Sequence, residues 1–273
     1  MAKIGGKKEL LEKFTQPEMM CCACARRVPD EAIMDIGVGL GLVAANLAKA
    51  IYAPDAVFMY ESGSIDAVVV GDRLPEGIDD SVIQADTPCI TDLLHVLGWA
   101  TMSGKSTHTL LGFAQVDKFG NLNTTCMGNY YDPDIRFPGS GGAHDLGTGA
   151  VHPILLGPQT RRSLVDKLDY RTTLGYGEDG HFREKMWYPG KGPLVIVTNL
   201  GEYEPDPVTH EFILTGVMAY STVEECVENC AWDLKVSPDV KEIAPPTAEE
   251  TRQLREVLDR EGKNTGWTKL VNK

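Results

Sequence analysis

Apolar positions come in short blocks set apart by turn residues, and the blocks switch between two periods. Ala32-Ile33-Met34-Asp35-Ile36 and Ala56-Val57-Phe58-Met59-Tyr60 are compact apolar runs of strand length. Between them, residues 42–50 are rich in alanine and leucine and read as a helix by propensity. The glycine-dense loop Gly37-Val38-Gly39-Leu40-Gly41 joins the first strand to that helix. Strand, glycine loop, helix, strand is the unit of a parallel α/β sheet. Upstream, Thr15-Gln16-Pro17-Glu18 combines a capping box with a proline in the first turn. A helix is predicted from there to about Arg27, where Val28-Pro29-Asp30 breaks it.

Further along, residues 91–100 predict a helix and residues 110–116 a strand. Asp117-Lys118-Phe119-Gly120-Asn121 is a turn, and the chain returns from Leu122 as a hairpin. Residues 138–150 are dense in glycine. Residues 153–156, 194–198 and 212–218 read as buried strands. Two more capping boxes, Thr222-Val223-Glu224-Glu225 and Thr247-Ala248-Glu249-Glu250, start helices, the second running amphipathically to about Glu261. The expected fold class is α/β: an open, mostly parallel sheet with helices on both faces and glycine-rich loops at its strand ends. One domain is expected over residues 15–262, between an N-terminal extension (1–14) and a C-terminal tail (263–273).

Composition narrows the function. The chain has 273 residues, 42% apolar and 24% charged, which suits an ordinary globular domain. Its formal charge of −13 argues against nucleic acid, whose phosphates need a basic face. Seven cysteines, an odd number without framework spacing, suggest reduced thiols. With no leader-like segment and no stretch apolar enough to cross a bilayer, a cytoplasmic protein is expected.

Several tempting motifs fail on counting. Ser103-Gly104-Lys105-Ser106 has its upstream glycine, Gly98, one residue too far for a phosphate loop. The 37–41 loop brings its third glycine one residue early for a dinucleotide fingerprint. Cys21, Cys22 and Cys24 fall within one helical turn, and no second cysteine pair has zinc-ligand spacing, so buried thiols are expected and no metal. Cys226 and Cys230, at i and i+4, are read the same way.

Three polar or glycine-rich segments survive: Tyr60-Glu61-Ser62-Gly63, Gln115 through Asn123, and Gly139-Ser140-Gly141-Gly142-Ala143. Each follows or joins a predicted strand, where open α/β sheets place their ligand crevice. A strand-end carboxylate beside backbone N–H groups able to stabilise an oxyanion is an apparatus for acyl transfer through an anhydride. The same glutamate read alone is more often a cap or a surface residue. Asn121, beside Gly120, equally suits a hairpin turn, and His144 is either a substrate contact or a loop hydrogen-bonder.

These segments resemble a known family. Val57-Phe58-Met59-Tyr60-Glu61-Ser62-Gly63 is similar to the nucleophile segment of glutaconate CoA-transferase β subunits, within the family I CoA-transferases. The stretches from Gly112 to Asn123 and from Arg136 to Ala143 resemble two further segments of that family, in the same order and at similar spacing. The similarity covers about residues 15–262.

The resemblance implies the open sheet of the CoA-transferase and NagB-like fold. It implies transfer of CoA to a dicarboxylate such as glutaconate, in ping-pong fashion, through a glutamyl-CoA thioester on Glu61. Gly141, Gly142, Gln115 and Asn121 are implied as oxyanion or acyl-CoA contacts, and Ser62, Ser140, Arg136 and His144 as candidate substrate contacts. No cofactor is implied, because coenzyme A is part of the substrate. The expected partner is a separate α subunit in an α2β2 or larger hetero-oligomer, without which this chain is inactive. Relatives that open a carbon ring on a CoA ester or decarboxylate one differ at the nucleophile position, so the Glu-Ser-Gly context favours transfer. A non-catalytic binding subunit on the same fold is the alternative from another class.

Overall fold

The computed structural model describes residues 4–67, 75, 77–85 and 87–271. Within them, Ile33–Ile36 (β1), Val57–Met59 (β2), Ser64–Ile65 (β3), Cys89–Ile90 (β4) and His108–Gly112 (β5) join five later strands in one ten-stranded sheet. Its heart is parallel: β2, β1 and β5 are followed by strands His152–Gly157 and Val195–Thr198. Antiparallel pairing takes over on both flanks, through β3 and β4 on one side and Gly201–Pro205 and Phe212–Met218 on the other.

Side-chain alternation sends each parallel strand's apolar residues to both faces. Met34, Ile36, Leu110, Ile154, Leu156, Val195 and Val197 pack in one core with helices Gln16–Ala25 (α1) and Leu40–Ile51 (α2). Leu111, Leu155 and Ile196 face the other core, with Val96, Leu97, Ala100 and Leu146. Helices therefore cover both faces, which is why these strands read as continuous apolar runs.

The capping box at Thr15 forms as predicted, with Pro17 in the first turn. Glu18 also pairs with Arg255, and Arg26 at the other end of α1 pairs with buried Glu250. Cys21, Cys22 and Cys24 are fully buried on α1, and burial pushes the Cys21 and Cys24 thiols well up. The segment before α1 docks on the sheet: Gly6 N–H donates to the Ser221 carbonyl, and Lys7 pairs with Glu242. Residues 1–3 of the extension and 272–273 of the tail lie outside the described residues.

Three predicted elements change form; one is the final helix, which turns to a π-helix over Gln253–Leu258 and stops short of Glu261. The run 110–116 is not one strand: β5 ends at Gly112, and Gln115–Val116 pairs instead with Leu122–Asn123 in a separate hairpin. The chain leaves the sheet so that the Phe113 ring lies against Gly157, where a Cβ would meet it at 2.6 Å. The helix expected at 91–100 winds as a π-helix over Leu94–Thr101, in which the Thr101 hydroxyl reaches back to the Val96 carbonyl and across to Asp35.

Candidate active site

The carboxyl ends of the five parallel strands open onto a cleft of about 950 Å³, within the usual range for ligand sites. The outer two are four strand spacings apart, about 19 Å. Chain order reverses at β1, with β2 on one side and β5 on the other, and such switch points are where open α/β sheets bind ligands.

Glu61 enters the cleft from the turn after β2. That turn is tight: Gly63 N–H donates to the Tyr60 carbonyl at 2.8 Å and Tyr60 N–H to the Ser64 carbonyl at 2.9 Å. Gly63 has φ +108°, and the Thr91 carbonyl occupies the place of a Cβ, so only glycine fits. Thr91 N–H in turn donates to the Gly63 carbonyl at 2.8 Å, which ties the Glu61 turn to the segment leading into the π-helix.

Across from Glu61 runs the glycine loop, with Gly139 at φ +106° and Gly141 at φ +49°. Gly142 caps the short helix Ala143–Gly149, and its backbone lies close against the Glu61 carboxylate. The approach is so close that a Cβ on Gly142 would lie 2.8 Å from Glu61 Oε2. Burial pushes the Glu61 carboxyl up, the Gly142 N–H draws it down, and the charge of Asp145 raises it again; the net direction is up. A half-desolvated carboxylate facing a backbone donor is both nucleophilic and next to a place where an oxyanion can be stabilised.

Asp35 escaped the sequence reading because it sits inside an apolar strand pattern. Its side chain is buried on the π-helix side of the sheet, one oxygen accepting from the Thr101 hydroxyl at 2.7 Å and the other without a protein partner. Burial raises its carboxyl to about 6, with a smaller push from the charge of Glu61. Gln16 was read only as part of a helix start. It lines the far end of the cleft, where its Oε1 accepts from Asn199 Nδ2 at 3.3 Å.

Of the residues singled out by sequence, Glu61, Ser140, Gly141 and Gly142 come together in the cleft. Ser62 holds a buried hydroxyl without a protein partner beside Glu61 but is not part of the cleft wall. Gln115 and Asn121 do not line the cleft, and their side-chain polar atoms bond within the protein. Gln115 binds Asp169 and Asn123. Asn121 donates to Asp117 and the Gly177 carbonyl and accepts from Gly175 and Gly177 N–H groups. The Arg136 guanidinium stacks on Tyr130 at 4.8 Å and donates to the Tyr130 carbonyl, outside the cleft wall. His144 is exposed on the first turn of helix Ala143–Gly149 and does not line the cleft.

Residues 18–229 match the sequence profile of the coenzyme A transferase family. The chain belongs to this family. Among its relatives, the B-type subunit of the 3-oxoadipate CoA-transferase of Pseudomonas knackmussii is 38% identical over 245 residues, 90% of this chain and 94% of that one. The corresponding B-type subunit of the glutaconate CoA-transferase of Acidaminococcus fermentans is 32% identical over 251 residues, 90% of this chain and 93% of that one. The crystal structure of the Acidaminococcus fermentans glutaconate coenzyme A-transferase superposes with a TM-score of 0.86 at 30% identity, covering 93% of this chain and 98% of that chain. The expected fold class is thereby confirmed. The 3-oxoadipate relative shares more residues with this coenzyme A transferase than the glutaconate relative does, so glutaconate loses the priority the sequence reading gave it. Among the described residues no helix is long and apolar enough to cross a membrane.

Proposed function

We propose that this chain is the B-type subunit of a two-subunit CoA-transferase that moves CoA from an acyl-CoA to a dicarboxylate of the 3-oxoadipate or glutaconate kind, with Glu61 as nucleophile. The observation that carries the reading is the Glu61 carboxylate held in the cleft against the Gly142 backbone. In the first step a Glu61 carboxylate oxygen attacks the thioester carbon. The C–S bond breaks, CoA leaves as thiolate, and a mixed anhydride remains. The thiolate then attacks the Glu61 carbonyl carbon and expels the donor's acid as carboxylate, leaving a glutamyl-CoA thioester. The acceptor carboxylate repeats both steps in reverse, and Glu61 is regenerated without net proton uptake. Each tetrahedral intermediate places an oxyanion near the glycine loop, where the Gly142 N–H is a ready donor.

Dependence on a partner is part of the proposal. Its support is that both relatives above are B-type subunits, together with the exposed apolar surface beside the nucleophile turn. Edge strand β4 and the π-helix leave Ile90, Leu94 and Trp99 65%, 74% and 59% exposed.

The test is chemical trapping. The chain is co-purified with its partner subunit, incubated with 3-oxoadipyl-CoA or glutaconyl-CoA, treated with borohydride, and the peptide carrying Glu61 is weighed, with Glu61→Ala as control. A reduced Glu61 found only in the wild type supports the covalent route. Turnover of acyl-CoA with Glu61 unmodified would sink it and favour hydrolysis or lyase chemistry on the CoA ester.

A further inference from the structure

Away from the cleft, His181, Glu184 and His210 converge although 25 residues of chain lie between Glu184 and His210. We propose that these three side chains form a binding site for a zinc-like divalent transition-metal ion. One ligand atom from each lies within 4.8 Å of the other two. His181 Nδ1 and Glu184 Oε2 stand 3.6 Å apart, near the edge of a tetrahedron of ligands at zinc distances, about 3.4 Å. His181 caps helix Phe182–Met186 and Glu184 sits one turn along the same face. Both side chains are partly exposed, 43% and 69%, so a small rotamer change brings them to ligand distance without disturbing a packed core.

His210 is the fixed member. Its ring stacks on Tyr176, with centroids 4.5 Å apart and planes inclined by 13°. Its Nδ1 lies 2.7 Å from the Gly180 carbonyl oxygen. A carbonyl only accepts, so Nδ1 carries the hydrogen of that bond and the neutral ring offers its lone pair at Nε2. Locking the tautomer of a histidine by a carbonyl on its second nitrogen is the usual support of a metal-bound imidazole. The backbone makes the same point, since His210 is one of three described non-glycine residues with positive φ, at +55°. The turn that holds it there is bonded tightly: His210 N–H donates to the Asp206 carbonyl, and Asp206 Oδ1 accepts from the Val208 and Thr209 N–H groups. Two imidazoles and one carboxylate, with water completing the shell, suit zinc better than magnesium or calcium, which prefer oxygen.

The position gives such an ion mechanical leverage. It joins helix Phe182–Met186 to the turn leading into strand Phe212–Met218. The same helix carries Arg183, whose buried guanidinium donates to the Gly147 and Thr148 carbonyls at the far end of the helix that Gly142 begins. An ion at His181, Glu184 and His210 stiffens the anchor of the loop facing Glu61.

The experiment is zinc and cobalt titration of the tag-free chain co-purified with its partner subunit, after chelator dialysis. His181→Ala and His210→Asn are the variants, the second because asparagine tolerates the left-handed backbone. One equivalent of zinc per chain is expected, with a cobalt visible spectrum of a four-coordinate, histidine-ligated site and a rise in Tm. Both variants are expected to lose at least about tenfold in affinity and the spectrum, while the metal-free Tm of His181→Ala stays near that of the wild type. Absence of saturable binding at micromolar free zinc, or stoichiometry and spectrum unchanged in His181→Ala, overturns the site.

Discussion

Replacing Gly142 by alanine tests the geometry of the site with one methyl group. The backbone there, φ −77° and ψ 0°, is open to any L-residue, so the fold has no reason to object. Removing a glycine also costs the unfolded chain freedom, which stabilises by about 0.4–1 kcal/mol. What the new Cβ meets is Glu61: Oε2 at 2.8 Å and Cδ at 3.0 Å, where ordinary contact begins at 3.4 Å. The carboxylate must retreat by about 0.6 Å, the difference between these values. A misplacement near 1 Å at a reacting centre costs on the order of 100-fold, so a 10- to 100-fold loss in kcat/KM is expected, about 1.4–2.7 kcal/mol in the barrier. Calorimetry should find Tm unchanged or slightly raised. Aspartate is one methylene shorter than glutamate, so Glu61→Asp should cost less in the Gly142→Ala background than in the wild type, a non-additivity that marks direct contact. Full activity in Gly142→Ala, or a loss matched by a fall in Tm, would refute the placement of Glu61 against this loop.

Other outcomes follow from the same coordinates. Burial raises Asp35 from 3.8 to about 6, so as pH climbs through that window the unfolded chain ionises first and stability falls, by on the order of 3 kcal/mol at neutral pH. Asp35→Asn should flatten the decline of Tm between pH 4 and 7, leaving the share due to Asp117, which burial also raises to about 6; an undiminished slope would contradict this. On the proposed mechanism Glu61 attacks as the carboxylate; with its folded pKa raised, the acid limb of kcat/KM should lie above 4.5, and a limb at or below that value would remove it as the titrating nucleophile. Asn121→Ala strips buried partners from the Gly175 and Gly177 N–H groups and should cost about 2–4 kcal/mol in denaturant unfolding. Activity per folded molecule should survive it, and a selective loss of kcat would return Asn121 to the chemistry.

Local signals were legible wherever the physics is local. The capping boxes at Thr15, Thr222 and Thr247 all form, because a hydroxyl and a glutamate three residues on satisfy each other within one turn. The glycine of the turn after Glu61 was equally visible, since positive φ at Gly63 leaves a compositional mark. Where Gln115 and Arg136 would lie was not legible, because a polar residue beside a glycine-rich loop looks the same whether it faces the cleft or its own hairpin.

Patterning along the chain was enough to specify an α/β sheet covered on both faces, and to mark the strand-end glutamate with its glycine-rich counterpart. Those properties rest on neighbours a few residues apart. Which groups meet was settled in three dimensions. Folding brings Gly142 against Glu61 across the cleft, buries Asp35 under Thr101 with one oxygen unpartnered, and sets His210 beside His181. Such meetings depend on strand order and on where the chain leaves the sheet, and a one-residue change of register would turn each side chain to the opposite face.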